Sequence, residues 1–161
     1  MPRIWIGACL ALLFTACAGL EKGPGAGPDA TDGAEFDPAL AARYGADDYG
    51  MRGYVLVILK SGPTPVPAGP ERDAMFRGHF ANMERLSQEG KLVLAGPLDG
   101  VDGWRGLFVL AVQDIEEARA LASTDPVLRQ GEMVAEYHTF YGSAALVGVR
   151  DAHARVAKLE M

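Results

Sequence analysis

The run Tyr54-Val55-Leu56-Val57-Ile58-Leu59 gives the strongest indication of secondary structure in the chain, because it is a short, continuous stretch of β-branched, aliphatic and aromatic residues. Lys60-Ser61-Gly62-Pro63 closes it, and a run of this length followed by turn residues predicts a strand that is buried on both faces. After a proline-rich loop, Pro70 suits the first turn of a helix that extends to Glu89 and is stopped by Gly90. This strand and this helix are the first two predicted elements of the domain.

Four further elements follow from the same signals. Strands are predicted over residues 91–95, 104–112 and 133–141, and a helix capped by Asp114 is predicted over residues 115–122. The resulting order is strand, helix, strand, strand, helix, strand. This is the split βαβ pattern of an α+β protein, which predicts an antiparallel four-stranded sheet with both helices on one face.

The second face of that sheet also needs a cover. The third strand is apolar on both sides, with Leu107, Val109 and Ala111 on one and Phe108, Leu110 and Val112 on the other. A second subunit packed sheet to sheet is the simplest cover, so a homodimer is expected. The alternative cover is a short terminal helix in the C-terminal extension, residues 142–161, where Ala152, Val156 and Leu159 recur at helical spacing.

Composition excludes several classes of function. The 161 residues have room for one domain, 49% of them are hydrophobic, and the formal net charge is −6. No cluster of Lys and Arg is present, and phosphate neutralisation requires one, so a nucleic-acid partner is not expected. A small-molecule ligand fits this composition better.

The first residues predict export and a lipid anchor. Residues 1–16 carry one cation, Arg3, before an apolar stretch that is too short to span a bilayer, which is the layout of a signal peptide. Phe14-Thr15-Ala16-Cys17 resembles a bacterial lipobox, which implies cleavage before Cys17 and acylation of its thiol. Ala18 in the next position fits sorting to the periplasmic face of the outer membrane in a Gram-negative cell. An ordinary secretory signal and an uncleaved anchor are the alternatives.

Residues 17–50 are rich in Gly, Pro, Ala and Asp and predict a flexible linker, with a short helical turn at residues 37–44. The domain is then expected over residues 51–141. Cleavage removes Cys9 and acylation consumes Cys17, so the folded part has no thiol for a disulfide, a metal site or a nucleophile.

One histidine stands out on the first long helix. At 100° per residue, His79 lies within the apolar stripe of Phe76 and Met83, and Arg72 lies on the same side near the helix start. A buried imidazole requires a polar partner. Two interpretations remain open: a core histidine bonded to a strand carbonyl, with Arg72 reaching solvent, and a functional imidazole.

The run from Arg77-Gly78-His79-Phe80 through Leu92-Val93-Leu94-Ala95-Gly96-Pro97 resembles the signature of the YCII-related domain family. Residues 115–126, which end in Asp125-Pro126, resemble that family's second helix and its Asp-Pro turn. The resemblance covers about residues 54–140. It implies a ferredoxin-like fold of the dimeric α+β barrel type and a pocket with a His and Asp acid/base pair. One branch of the family is associated with dehydrochlorination of a chlorinated hydroxyquinone.

The candidate site follows from this resemblance and from the chemistry of imidazole, which titrates near neutrality and transfers protons when a carboxylate orients it. His79 is the expected acid or base. Its partner is Asp125 or, less favoured, Asp99; both also suit plain turn chemistry. We expect the ligand to be lined by Arg72, Phe76, Met83, Gly96 and Pro97.

No cofactor and no metal are expected, because three scattered histidines without thiols make a poor metal site. The resulting hypothesis is cofactor-free acid/base chemistry of a lyase or isomerase type. The alternative from a different class is a non-catalytic module for small-molecule binding or dimerisation.

Overall fold

The computed structural model describes residues 35–159, and within them the chain forms one antiparallel sheet with its main helices packed on one face. The strands are β1 (Met51–Ser61), β2 (Leu92–Pro97), β3 (Trp104–Leu110) and β4 (Met133–Ser143), in the spatial order β2-β3-β1-β4. Every neighbouring pair is antiparallel. This is the ferredoxin-like arrangement, so the α+β prediction is confirmed.

The main helices are α2 (Pro70–Gln88) and α3 (Ile115–Ala122), and three shorter ones are α1 (Pro38–Tyr44), α4 (Pro126–Arg129) and α5 (Val149–Val156). Pro70 occupies the first turn of α2 as predicted. The helix ends where Gly90 adopts a φ of 70°, and Lys91 N–H then bonds to Leu86 O. That 6→1 bond satisfies an end carbonyl of the helix. Helix α4 was not predicted, since residues 126–129 read only as a turn.

The principal core lies between the helices and the sheet. Its strand residues are Val55, Val57 and Leu59 of β1 and Phe108 and Leu110 of β3, and the helices contribute Met75, Leu86, Ala118 and Val127. Alternate residues on the two central strands therefore face the helices, as the pattern of β3 predicted. Burial of these apolar side chains is the main stabilising contribution to the domain.

The second face of the sheet has a smaller apolar cluster of Tyr54, Val93 and Val109. Leu146 and Val147 pack against it from the 3₁₀ segment Ala144–Gly148. The predicted terminal helix forms as α5 and approaches β2, but Val156 and Leu159 do not help to cover this face, because both side chains are 81% exposed. The 3₁₀ segment lies directly after β4, so the chain reaches the face before α5 begins.

Residues 37–50 correct the prediction of a flexible linker up to residue 50. Asp37 caps α1 by accepting hydrogen bonds from Ala39 N–H and Leu40 N–H, each at 2.9 Å. The Asp47 carboxylate accepts from Met51 N–H and also bonds the hydroxyl of Tyr141 on β4. The compact unit accordingly starts at Asp37. The helical turn predicted at residues 37–44 forms as α1, whereas the order of residues 45–50 was not predicted, because it comes from side-chain hydrogen bonds and not from apolar burial.

The predicted signal peptide and the predicted lipid attachment at Cys17 concern residues that lie outside the described range of 35–159. In the described part, no helix is both long enough and apolar enough to cross a membrane.

Candidate active site around His79

His79 and Asp125 form a buried pair between α2 and the start of α4. Nδ1 of His79 lies 2.7 Å from Oδ2 of Asp125, and the two residues are 7% and 0% exposed. The structure therefore brings together the two residues that the sequence analysis favoured. It corrects the alternative of a core histidine bonded to a strand carbonyl, since the partner is a carboxylate.

Asp125 serves both as a turn residue and as the partner of His79, and each role uses one of its carboxylate oxygens. Oδ1 accepts from Val127 N–H at 3.1 Å and caps α4, while Oδ2 binds the imidazole. The cap fixes the carboxylate relative to the backbone. Because a carboxylate accepts and does not donate, it selects the imidazole tautomer with hydrogen on Nδ1 and leaves Nε2 with a lone pair.

Three aromatic rings surround the imidazole. Phe108 of β3 stacks against it at 6.0 Å between centroids, Phe76 presents an edge at 6.1 Å, and Phe80 lies at 5.3 Å. The imidazole is therefore held in one orientation by packing as well as by its hydrogen bond. The His79 side chain keeps 9% of its accessible surface, and Nε2 has no hydrogen-bond partner among residues 35–159.

A second buried carboxylate, Glu132, lies at the end of the sheet where β4 begins. Its oxygens bind Arg72 of α2 at 2.8 Å and Val66 N–H of the proline-rich loop at 2.7 Å, with Arg105 of β3 at 3.6 Å. Burial by itself raises the pKa of Glu132, but the hydrogen bonds from Arg72 and Val66 and the two guanidinium charges outweigh that effect and lower the pKa. Glu132 is therefore ionised at neutral pH.

Arg72 connects this cluster to the imidazole. It does not extend freely into solvent, because Nη1 donates to Val66 O at 2.8 Å while Nη2 pairs with Glu132. Its guanidinium lies 4.9 Å from the centre of the Phe76 ring, whose edge meets His79. Phe76 thus lies between the Arg72 guanidinium and the His79 imidazole.

The remaining predicted site residues differ in their roles. Asp99 is exposed and accepts a hydrogen bond from Val101 N–H, so it serves its own turn and is not the bonded partner of His79. Met83 packs partly buried against the principal core. Gly96 and Pro97 pair with Leu107 and Gly106 at the end of β2.

Five residues near the site were missed by the sequence analysis: Gly78, Asn82, Arg105, Phe108 and Glu132. Gly78 carried a usable signal, since a glycine inside a helix disfavours the helix unless close packing requires it. Here a Cβ on Gly78 would lie 2.9 Å from Cγ of Pro126. The other four lacked a signal because their importance depends on contacts between distant segments.

Two hollows open on the helical side. One of about 450 Å³ lies between α2 and α4 and is lined by Glu71, Ala74, Met75, Pro126, Arg129 and Gln130. The other, of about 300 Å³, lies between α3, α4 and β4. His79 lines neither of these two hollows. Across residues 35–159, no group of three or more His, Cys, Asp or Glu side chains is placed to hold a metal ion.

Comparison with known proteins identifies a family and two kinds of similar protein. The YCII-related domain matches residues 53–152. The beta subunit of glycine–tRNA ligase from strains of Xanthomonas campestris pv. campestris is 34% identical over 92 residues, or 55% of this chain. The chain spans only 12% of the length of those relatives.

Among solved structures, a match is 5-chloro-2-hydroxyhydroquinone dehydrochlorinase from Burkholderia phenoliruptrix AC1100 in complex with 2,5-dihydroxybenzoquinone. It is 17% identical, with a TM-score of 0.36, and the match covers 53% of this chain and 90% of that one.

Proposed function

The chain belongs to the YCII-related domain family, and on that premise we propose that its domain binds a small organic molecule beside His79 and transfers a proton with the His79–Asp125 pair. No cofactor takes part in the proposed step. The observation that carries the proposal is the 2.7 Å contact between His79 Nδ1 and Asp125 Oδ2.

The chemistry follows from the tautomer that Asp125 selects. With hydrogen on Nδ1, the lone pair of Nε2 accepts a proton from a carbon or hydroxyl of the ligand, and the carboxylate stabilises the imidazolium that forms. Return of the proton to another atom of the ligand gives isomerisation. Its return to a leaving group gives elimination. In either case the step moves one proton from the ligand to Nε2 and back.

A non-catalytic module for binding or dimerisation is the second candidate. It is favoured by the near-complete burial of His79 and by its absence from the lining of both hollows. In this case the His79–Asp125 pair would act only to join α2 to α4. A chain that binds a ligand but transfers no proton would support this non-catalytic module.

The proposal includes a homodimer formed through the second face of the sheet. Four exposed apolar side chains lie on that face by their register, at 38–44% exposure: Leu94, Trp104, Val134 and Phe140. Phe140 packs against Tyr54 of the buried cluster, with ring centroids 6.0 Å apart, and by register Lys60, Glu136 and His138 border this apolar patch on the same face. An apolar centre with a charged border favours a second copy of the same face as its cover.

The proposal also places the domain at the cell envelope, attached by lipid on Cys17 to the periplasmic face of the outer membrane. Support comes from the signal-like residues 1–16 and the lipobox-like Phe14-Thr15-Ala16-Cys17. Labelling with radioactive palmitate tests the anchor, and the label should be lost in Cys17→Ser. Retention of the label in that variant would rule out Cys17 as the attachment point.

Proton transfer is tested with the full chain and a panel of small organic acids and quinones that includes 2,5-dihydroxybenzoquinone. Binding is detected by thermal shift, and proton transfer by incorporation of deuterium from D₂O into carbon-bound positions of the ligand. The variant is His79→Gln, and the control is His153→Ala, which alters an exposed histidine on α5. Exchange that is lost in the first variant and retained in the second supports the proposal. Exchange that persists in His79→Gln would refute it.

A further inference from the structure

We propose that Asn82 is a positioning residue that holds Asp125 against His79. This inference rests on the proposed function, since it concerns the geometry of the proton-transferring pair. Asn82 is 9% exposed and lies on α2 one turn after His79. Residues three apart on a helix share a face, so Asn82 faces the same neighbouring segment as the imidazole.

The contacts of Asn82 join that segment to α2. Its Oδ1 lies 2.9 Å from Oγ1 of Thr124, the residue that directly precedes Asp125, and accepts from Nη2 of Arg85 at 2.8 Å. The same Arg85 nitrogen donates to Thr124 Oγ1 at 3.1 Å. Arg85 therefore bridges Asn82 and Thr124 even when the single hydroxyl hydrogen of Thr124 is given to Leu121 O, at 2.7 Å.

The orientation of the Asn82 amide is fixed by chemistry. A guanidinium only donates hydrogen bonds, so the amide oxygen must face Arg85 and the NH₂ group must face away from it. Nδ2 is then enclosed, and it has no hydrogen-bond partner in the part of the chain that the structure describes. An unpaired buried donor lowers the stability of the fold.

An apolar side chain of similar shape would remove that penalty. It would leave no buried group without a partner in exchange, because Arg85 keeps Glu89 at 2.8 Å and Thr124 keeps Leu121 O. The amide thus keeps one buried donor unpaired, while its oxygen fastens the turn that carries Asp125. That combination is expected of a residue that serves the site and not the fold.

The test measures the tautomer of His79 in the full chain by long-range ¹H–¹⁵N NMR, together with the unfolding midpoint in urea. The variants are Asn82→Leu, which keeps the branched shape, Asn82→Ala, which removes the side chain, and Asn82→Asp, which keeps the oxygen. We expect Asn82→Leu to unfold at the same or a higher urea concentration. Its Nε2–H tautomer should rise several-fold, and proton transfer should fall by about 10-fold.

Asn82→Asp should restore the Nδ1–H tautomer, because an oxygen again accepts from Arg85. Should Asn82→Leu and Asn82→Ala both keep the wild-type tautomer, Asn82 does not position the pair and the inference is overturned. A clear loss of stability in Asn82→Leu with an unchanged tautomer would overturn it in the same way, by showing a structural role. A wild-type chain that transfers no proton would refute the proposed function but leave the tautomer result interpretable.

Discussion

Gly78 of α2 and Pro126 of α4 approach each other so closely that a Cβ on Gly78 would lie 2.9 Å from Cγ of Pro126. Pro126 directly follows Asp125, and Gly78 directly precedes His79. The distance between the helices at this point therefore sets the distance between the carboxylate and the imidazole. A proline ring can change its pucker but cannot swing aside as an open side chain can, so a methyl group at position 78 presses α2 and α4 apart.

Gly78→Ala is expected to lower the free energy of unfolding by about 1–2 kcal/mol, since overpacking outweighs the roughly 1 kcal/mol that Ala favours over Gly in a helix. Urea denaturation measures the change. The matched control is Gly96→Ala, because a Cβ at Gly96 would meet no atom within 4 Å. Equal stability of the two variants would show that α4 adjusts to the added methyl group.

Asp125→Ala is expected to destabilise the protein by about 3 kcal/mol or more, because it removes a helix cap and the charged partner of a buried imidazole together. Asp114→Ala is the control for the cap alone, since Asp114 caps α3 by accepting from Glu116 N–H at an exposed site. That control should lose only about 1 kcal/mol. A loss of the same size in both variants would mean that the contact with His79 contributes nothing to stability.

The pKa of Glu132 is lowered by its bonds to Arg72 and Val66 N–H and by the charges of Arg72 and Arg105, despite the opposing effect of burial. A lowered pKa means that the stabilising contribution is present in full above the ordinary value of 4.5. It is lost as the pH falls below 4.5 through the lower value of the folded state. Glu132→Gln should therefore cost about 2 kcal/mol at pH 7 and weaken the decline in stability below pH 4.5.

Urea denaturation across pH 3–7 measures this dependence. Glu117→Gln is the control, because Glu117 pairs with Lys91 at 2.8 Å on the surface, where solvent weakens an ion pair. A wild-type stability that declines no more steeply than that of Glu132→Gln would contradict the expected role of the buried carboxylate.

Phe140→Lys is expected to convert a homodimer to a monomer, because it places a charge in the apolar patch on the second face of the sheet. Light scattering after size-exclusion chromatography measures the mass. Tyr49→Lys is the control, since Tyr49 is 87% exposed and lies in the turn before β1. A monomeric wild-type protein at micromolar concentration would refute the dimer.

Local sequence determined the elements of this protein. The apolar run that starts at Tyr54, the proline at position 70 and the cap at Asp114 each act within a few residues, so the strands and main helices were predictable from them. The inward direction of His79 was also predictable, because the period of a helix fixes which side chains share a face.

Which side chains contact each other at the candidate site depends on tertiary packing. Whether His79 would meet Asp125 or Asp99 depended on how α2 packs against α4, and that packing depends on a glycine and a proline 48 positions apart. The cluster of Glu132, Arg72 and Arg105 and the amide of Asn82 likewise acquire their roles only when separate segments meet. Periodicity reports the face on which a side chain lies, whereas contacts across the sequence depend on the packing of the whole chain.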